Sequence, residues 1–77
     1  MPALLRRRQL EQHLGIKATT IYDRIRRGLL PAPIKYGTRT SLWPANEIEE
    51  CSAAIIKGAA DDEMRALVRG IMEKRAA

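Results

Sequence analysis

Residues 18–28 read Ala-Thr-Thr-Ile-Tyr-Asp-Arg-Ile-Arg-Arg-Gly, and this stretch decides the fold. Ile21 and Ile25 stand one helical turn apart, and Gly28 follows at the C′ position, where a glycine ends a helix. Projected around a helix, the direction opposite the two isoleucines carries Thr19, Asp23, Arg26, Arg27 and, less squarely, Thr20. One face is apolar, and the other is hydrogen-bonding and cationic. Upstream, Leu10 and Leu14 repeat at i, i+4 within a segment from Arg7 to Leu14, and Gly15 closes it. Two short helices joined by Gly15-Ile16-Lys17 have the spacing of a helix-turn-helix, in which the second helix lies in the major groove of duplex DNA. A plain αα-hairpin with solvated outer faces fits the same spacing, so the residues downstream bear on the choice.

Leu29 and Leu30 form an apolar plug that seats the end of the second helix, and Pro31 and Pro33 forbid its continuation. Residues 34–43 then read as a small hairpin. Ile34-Lys35-Tyr36 alternates, Gly37-Thr38-Arg39 supplies the turn, and the extended pattern resumes over Thr40-Ser41-Leu42-Trp43. A lone hairpin is marginal in water, so it is expected to pack on the helices through Ile34, Leu42 and Trp43, leaving Lys35 and Arg39 outside. The hairpin is the wing of a winged helix-turn-helix.

Pro44 suits the first turn of a third helix, whose early Glu47, Glu49 and Glu50 complement the positive end of its dipole. Ile48, Cys51, Ser52, Ile55 and Ile56 keep helical spacing until Gly58. A fourth helix follows, with Asp61 as expected N-cap, Asp62 and Glu63 in its first turn, and Lys74 and Arg75 near its end. Its residues Met64, Leu67, Val68, Ile71 and Met72 make one apolar stripe. That stripe either folds back onto the first three helices or pairs with the same helix of a second molecule in a homodimer.

The chain has 77 residues, enough for one small core, organised as a winged domain over 1–57 and an amphipathic helix over 58–77. The fold expected is mostly α with a small two-stranded β wing. Its single Cys51 and single His13 exclude an internal disulfide and leave too few soft ligands for structural zinc. Cys51 reads as a small buried hydrophobe, and no paired carboxylates or nucleophile–base set is visible, so neither an enzyme nor a cofactor is expected. No apolar run is long enough to span a membrane, and no signal-peptide core is present, which leaves a cytoplasmic protein as the expectation.

Charge separates the two halves. The net charge is +5, but residues 1–40 carry nine basic and two acidic groups, whereas residues 41–77 carry five basic and seven acidic groups. A field attractive to polyanions belongs to the first half alone.

Taken in order, Leu4-Leu5-Arg6, Leu14-Gly15-Ile16, Thr20-Ile21-Tyr22, Gly28-Leu29-Leu30-Pro31-Ala32-Pro33, Lys35-Tyr36-Gly37, Arg39 and Trp43 resemble the AlpA-like regulators of phages and prophages. That family overlaps with the small excisionases and shares the winged DNA-binding core of MerR-type proteins. The resemblance covers roughly residues 4–56. Lys17 stands where the family usually has a helix-capping Ser, Leu30 where it has Phe, and Cys51 where it often has Trp. The first departure weakens a cap, and the other two imply a smaller core. Residues 58–77 lie outside the resemblance.

The resemblance implies transcriptional control or assistance to an integrase, with double-stranded DNA as partner and an integrase or RNA polymerase as a further one. Phage packaging is the competing role, since similar winged modules begin the small subunits of terminases. A pure protein–protein adaptor is a third class, and it predicts no DNA affinity. In a complex of the helix-turn-helix kind, Thr19, Thr20 and Asp23 meet base edges or nearby phosphates, and Arg26 or Arg27 reaches guanine or a phosphate. Lys17 and the Tyr22 hydroxyl are candidates for phosphate contact, with partial burial of Tyr22 beside Ile25 as its alternative. Lys35 and Arg39 belong to the wing, Arg39 at its tip beside the adjacent minor groove. Arg6, Arg7 and Arg8 are either backbone contacts or a solvated cluster.

Overall fold

Residues 3–77 are described by a computed structural model, in the order β1 (Leu4–Arg6), α1 (Arg7–Leu14), α2 (Ala18–Arg26), β2 (Ile34–Lys35), β3 (Ser41–Pro44), α3 (Ala45–Ile56) and α4 (Asp61–Ala76). Four helices around a small antiparallel sheet give the mostly α, winged-helix-like fold that the pattern implies. At the end of α2, Gly28 takes φ +78° and donates to the Ile25 carbonyl at 3.0 Å, while Leu29 donates to Arg24 at 2.8 Å. This pair of bonds satisfies the last carbonyls of the helix and turns Leu29 and Leu30 into the core. Lys17 makes no side-chain cap at the start of α2, in keeping with the loss of the usual Ser.

The wing hairpin pairs Ile34 with Leu42 and Lys35 with Ser41, closed by a Tyr36 N–H to Thr40 carbonyl bond of 3.0 Å. Two strands are not the whole sheet, however. β1 adds to the far side of β3, pairing Leu5 with Trp43, so the strand order is β1-β3-β2. Three residues are too few for alternation to be read in sequence; what recruits them is the unpaired edge of β3 and the burial that Leu5 gains there.

Trp43 is wholly buried and donates from Nε1 to the Pro31 carbonyl at 3.0 Å, tying the wing to the loop after α2. Ile34, expected inside, is 38% exposed, because β2 is an edge strand of two residues that reaches past the helices. Pro44 is the last residue of β3 and the N-cap of α3 rather than a residue of its first turn. Its ψ of 128° continues the strand, so the sheet holds it there. Ile48 and Cys51 are buried as expected, whereas Ile55 and Ile56 are exposed, since the end of α3 runs beyond the core.

Burial among apolar neighbours pushes the Cys51 thiol up to about 11, with the charges of Glu50 and Glu47 adding to the effect. The thiol is therefore un-ionised at neutral pH. In the native protein it is expected to resist iodoacetamide at pH 8 and to react only after denaturation. Because the folded pKa lies above the unfolded one, the stabilisation from this group is complete below pH 9 and is lost as pH rises toward 11. Mass spectrometry of the alkylated protein checks the first point, and urea titration across alkaline pH the second.

Helix α4 folds back. Met64, Val68 and Ile71 are buried in the common core, Leu67 is half-buried, and Met72 lies exposed at the stripe's edge. Ala60, not Asp61, is the N-cap, and its N–H donates to Glu63 Oε1 at 2.9 Å. That bond is one half of a capping box: it satisfies the Ala60 N–H, while alanine has no side-chain oxygen to accept from the first turn as an Asp61 cap was expected to do. Two arginines fasten the helix. Arg65 donates from Nε to the Arg27 carbonyl at 2.9 Å, and Arg75 joins the Glu47 carboxylate and also donates to the Ala32 carbonyl at 2.7 Å.

Candidate nucleic-acid interface

The outward face of α2 is set by the burial of Ile21 on the opposite side. A short helix with one fully buried residue has little rotational freedom, so Thr19, Tyr22, Asp23 and Arg26 are presented together. These residues, with Ala18, line a shallow open depression. Thr19 is exposed and Thr20 half-buried, so Thr19 is the freer of the two threonines.

Asp23 does more than face outward. Its carboxylate pairs with Arg26 through one oxygen and with Arg27, at 3.1 Å, through the other. Both guanidiniums remain exposed, at 78% and 58% of their side-chain surface. A carboxylate so engaged has less capacity for a base edge, and it holds two flexible cations in defined positions. The Arg65 bond to the Arg27 carbonyl, between residues 38 positions apart, fixes the same end of α2 from behind.

Beside the depression lies a second concavity of about 350 Å³, lined by Arg6, Arg7, Arg8, Tyr22, Arg39, Thr40 and Ser41. Tyr22 is 43% exposed and lines both hollows. Lys35 donates from Nζ to Ser41 Oγ at 2.9 Å, at the rim of this cleft. Arg7 is paired with Glu11 at 3.3 Å; among the described residues, Arg6, Arg8 and Arg39 have no carboxylate partner.

Of the residues expected to meet DNA, Thr19, Tyr22, Asp23, Arg26 and Arg39 are gathered around the two hollows, and Lys35 and Arg27 touch them through Ser41 and Asp23. Lys17 stands exposed at the start of α2, and Thr20 is turned partly inward. Arg6, Arg7 and Arg8 were readable as a cluster but not as neighbours of the wing, which only the pairing of β1 with β3 makes them. Thr40 and Ser41 carried no signal of their own.

A helix-turn-helix whose second helix presents a cationic, hydrogen-bonding face next to a basic wing defines the class of winged helix-turn-helix nucleic-acid-binding modules. Over residues 3–54 the chain matches the family model of the prophage CP4-57 regulatory protein, AlpA. It belongs to that family of small phage-type DNA-binding regulators. No match was found among curated proteins or among solved structures. Helix α4 lies beyond the matched residues. Among the described residues, no helix is long and apolar enough to cross a membrane.

Proposed function

We propose that the protein is a sequence-specific double-stranded-DNA-binding regulator of transcription or excision, acting in the cytoplasm of a bacterial or phage-infected cell. Residues 18–27 occupy the major groove, and the wing at residues 34–43 rests on the adjacent minor groove or backbone. The observation that carries this reading is the placing of the polar, cationic face of α2 beside the arginine-lined hollow of the wing, with Tyr22 lining both. Thr19 and Arg26 are the base readers, Arg26 toward guanine, while Lys17, Arg27 and Lys35 serve phosphates. With Met64, Val68 and Ile71 inside the chain's own core, the regulator is read as binding one site per copy.

Selection of bound duplexes from random DNA, followed by affinity against salt, tests the reading. A preferred motif is expected, with a log–log salt slope near −4 to −5 for about five neutralised phosphates. Paired half-sites in that motif point to a dimer instead, and absence of binding at low salt overturns the assignment. Asp23 makes a sharper test of the reader. Asp23→Ala removes a negative charge from the DNA face and frees Arg26, so affinity for random duplex is expected to rise while preference for the selected motif falls by on the order of tenfold. A loss confined to the selected duplex, with affinity for random duplex unchanged, assigns Asp23 to direct base contact instead.

A further inference from the structure

We infer that the cleft enclosed by Arg6, Arg8, Arg39, Tyr22, Thr40 and Ser41 seats one backbone phosphate of the bound duplex, which locks the wing and the recognition helix to the same strand. The inference rests on the DNA-binding reading and adds to it a site built from residues outside the recognition helix. Three separate parts of the chain converge on this hollow: the β1–α1 junction, α2 through Tyr22, and the end of the wing. Arginines held around one hollow repel each other, and a strand pairing that places them there is favoured when an anion fills the space.

The only carboxylate paired at this cleft, Glu11, is held by Arg7, so Arg6, Arg8 and Arg39 keep their full charge toward the hollow among the described residues. Ser41 Oγ already accepts a hydrogen bond from Lys35, which leaves its own hydroxyl hydrogen to donate. The Tyr22 and Thr40 hydroxyls add two further donors. Planar guanidiniums and hydroxyls arriving from several sides suit a tetrahedral phosphate, which accepts in every direction. Tyr22 shares its ring with the reading stripe, so an anion seated here lies at the edge of the groove that α2 enters. Arg39 is thereby assigned to the backbone rather than to the floor of the minor groove.

The test uses the intact chain and the triple variant Arg6→Gln/Arg8→Gln/Arg39→Gln, with Arg69→Gln on α4 as a control. All four side chains are exposed, so each variant is expected to keep its thermal midpoint. Affinity is measured on the selected duplex, on a random duplex, and on a series carrying one neutral methylphosphonate at each backbone position in turn. Wild type is expected to show several positions where neutralisation costs on the order of tenfold, and in the triple variant the cost disappears at one of them while the others keep theirs. The variant also loses affinity equally for selected and random duplexes, and its salt slope falls in magnitude by about 0.9. Persistence of the methylphosphonate penalty at every position in the variant, or a loss confined to the selected duplex, overturns the seat while leaving DNA binding intact. Wild type that binds no duplex at all removes both readings together.

Discussion

Trp43→Ala is expected to remove much or all of the protein's stability at room temperature. Trp43 is the largest fully buried side chain, and it joins β3 to the loop that follows the recognition helix. Truncating a buried aromatic to alanine costs about 3–5 kcal/mol, and the lost indole donor leaves the Pro31 carbonyl without its partner, adding about 1 kcal/mol or more. A domain of this size has a total stability of roughly 4–12 kcal/mol, so the loss consumes much or all of it. Urea denaturation followed by circular dichroism measures the difference. Trp43→Phe keeps most of the packing and removes only the donor, and it is expected to fall about midway. A loss below about 1.5 kcal/mol for the alanine variant places the centre of the core elsewhere.

Arg75→Ala is expected to be the most damaging change of a charged residue, at about 2–4 kcal/mol. Arg75 and Glu47 are 18% and 12% exposed, and the same guanidinium also holds the Ala32 carbonyl. Removing the arginine strands a largely buried carboxylate and a carbonyl together, which is why the cost exceeds the ~0–1 kcal/mol of a surface pair. Denaturant titration gives the size of the effect, and Glu47→Gln/Arg75→Met separates packing from charge: the double variant is expected to recover much of the loss. Arg65→Ala, whose partner lies at the exposed end of α2, is expected to cost less than half as much. If Arg75→Ala leaves the midpoint unchanged, α4 is not fastened at this end.

The helices were legible because each carries its own signal. Leu10 and Ile21 mark buried faces, and Gly15 and Gly28 mark ends whose positive φ few other residues accept. The wing was legible from Gly37 between two alternating segments. The polar stripe of α2 followed from its periodicity, since a helix that buries Ile21 has one way to face. Much less of the site's second half could be read. Arg6, Arg7 and Arg8 formed a visible charge run, but a strand of three residues has no period, and its partner lies nearly forty positions away. Asp23, expected at base edges or nearby phosphates, stands three and four positions before Arg26 and Arg27, a helical spacing that itself signals the carboxylate they share.

Local spacing thus specified the helical elements, the hairpin and the hydrophilic side of residues 18–27, because each depends on interactions within a few positions along the chain. Whether the apolar stripe of α4 turned inward or toward another molecule, and which arginines met across the wing, depended on which distant surfaces were left uncovered. Met64, Val68 and Ile71 settled into the core, and β1 settled on the open edge of β3. Those outcomes arise from burying area and pairing backbone between segments far apart in the chain, and such long-range competition leaves no periodic mark in the order of residues.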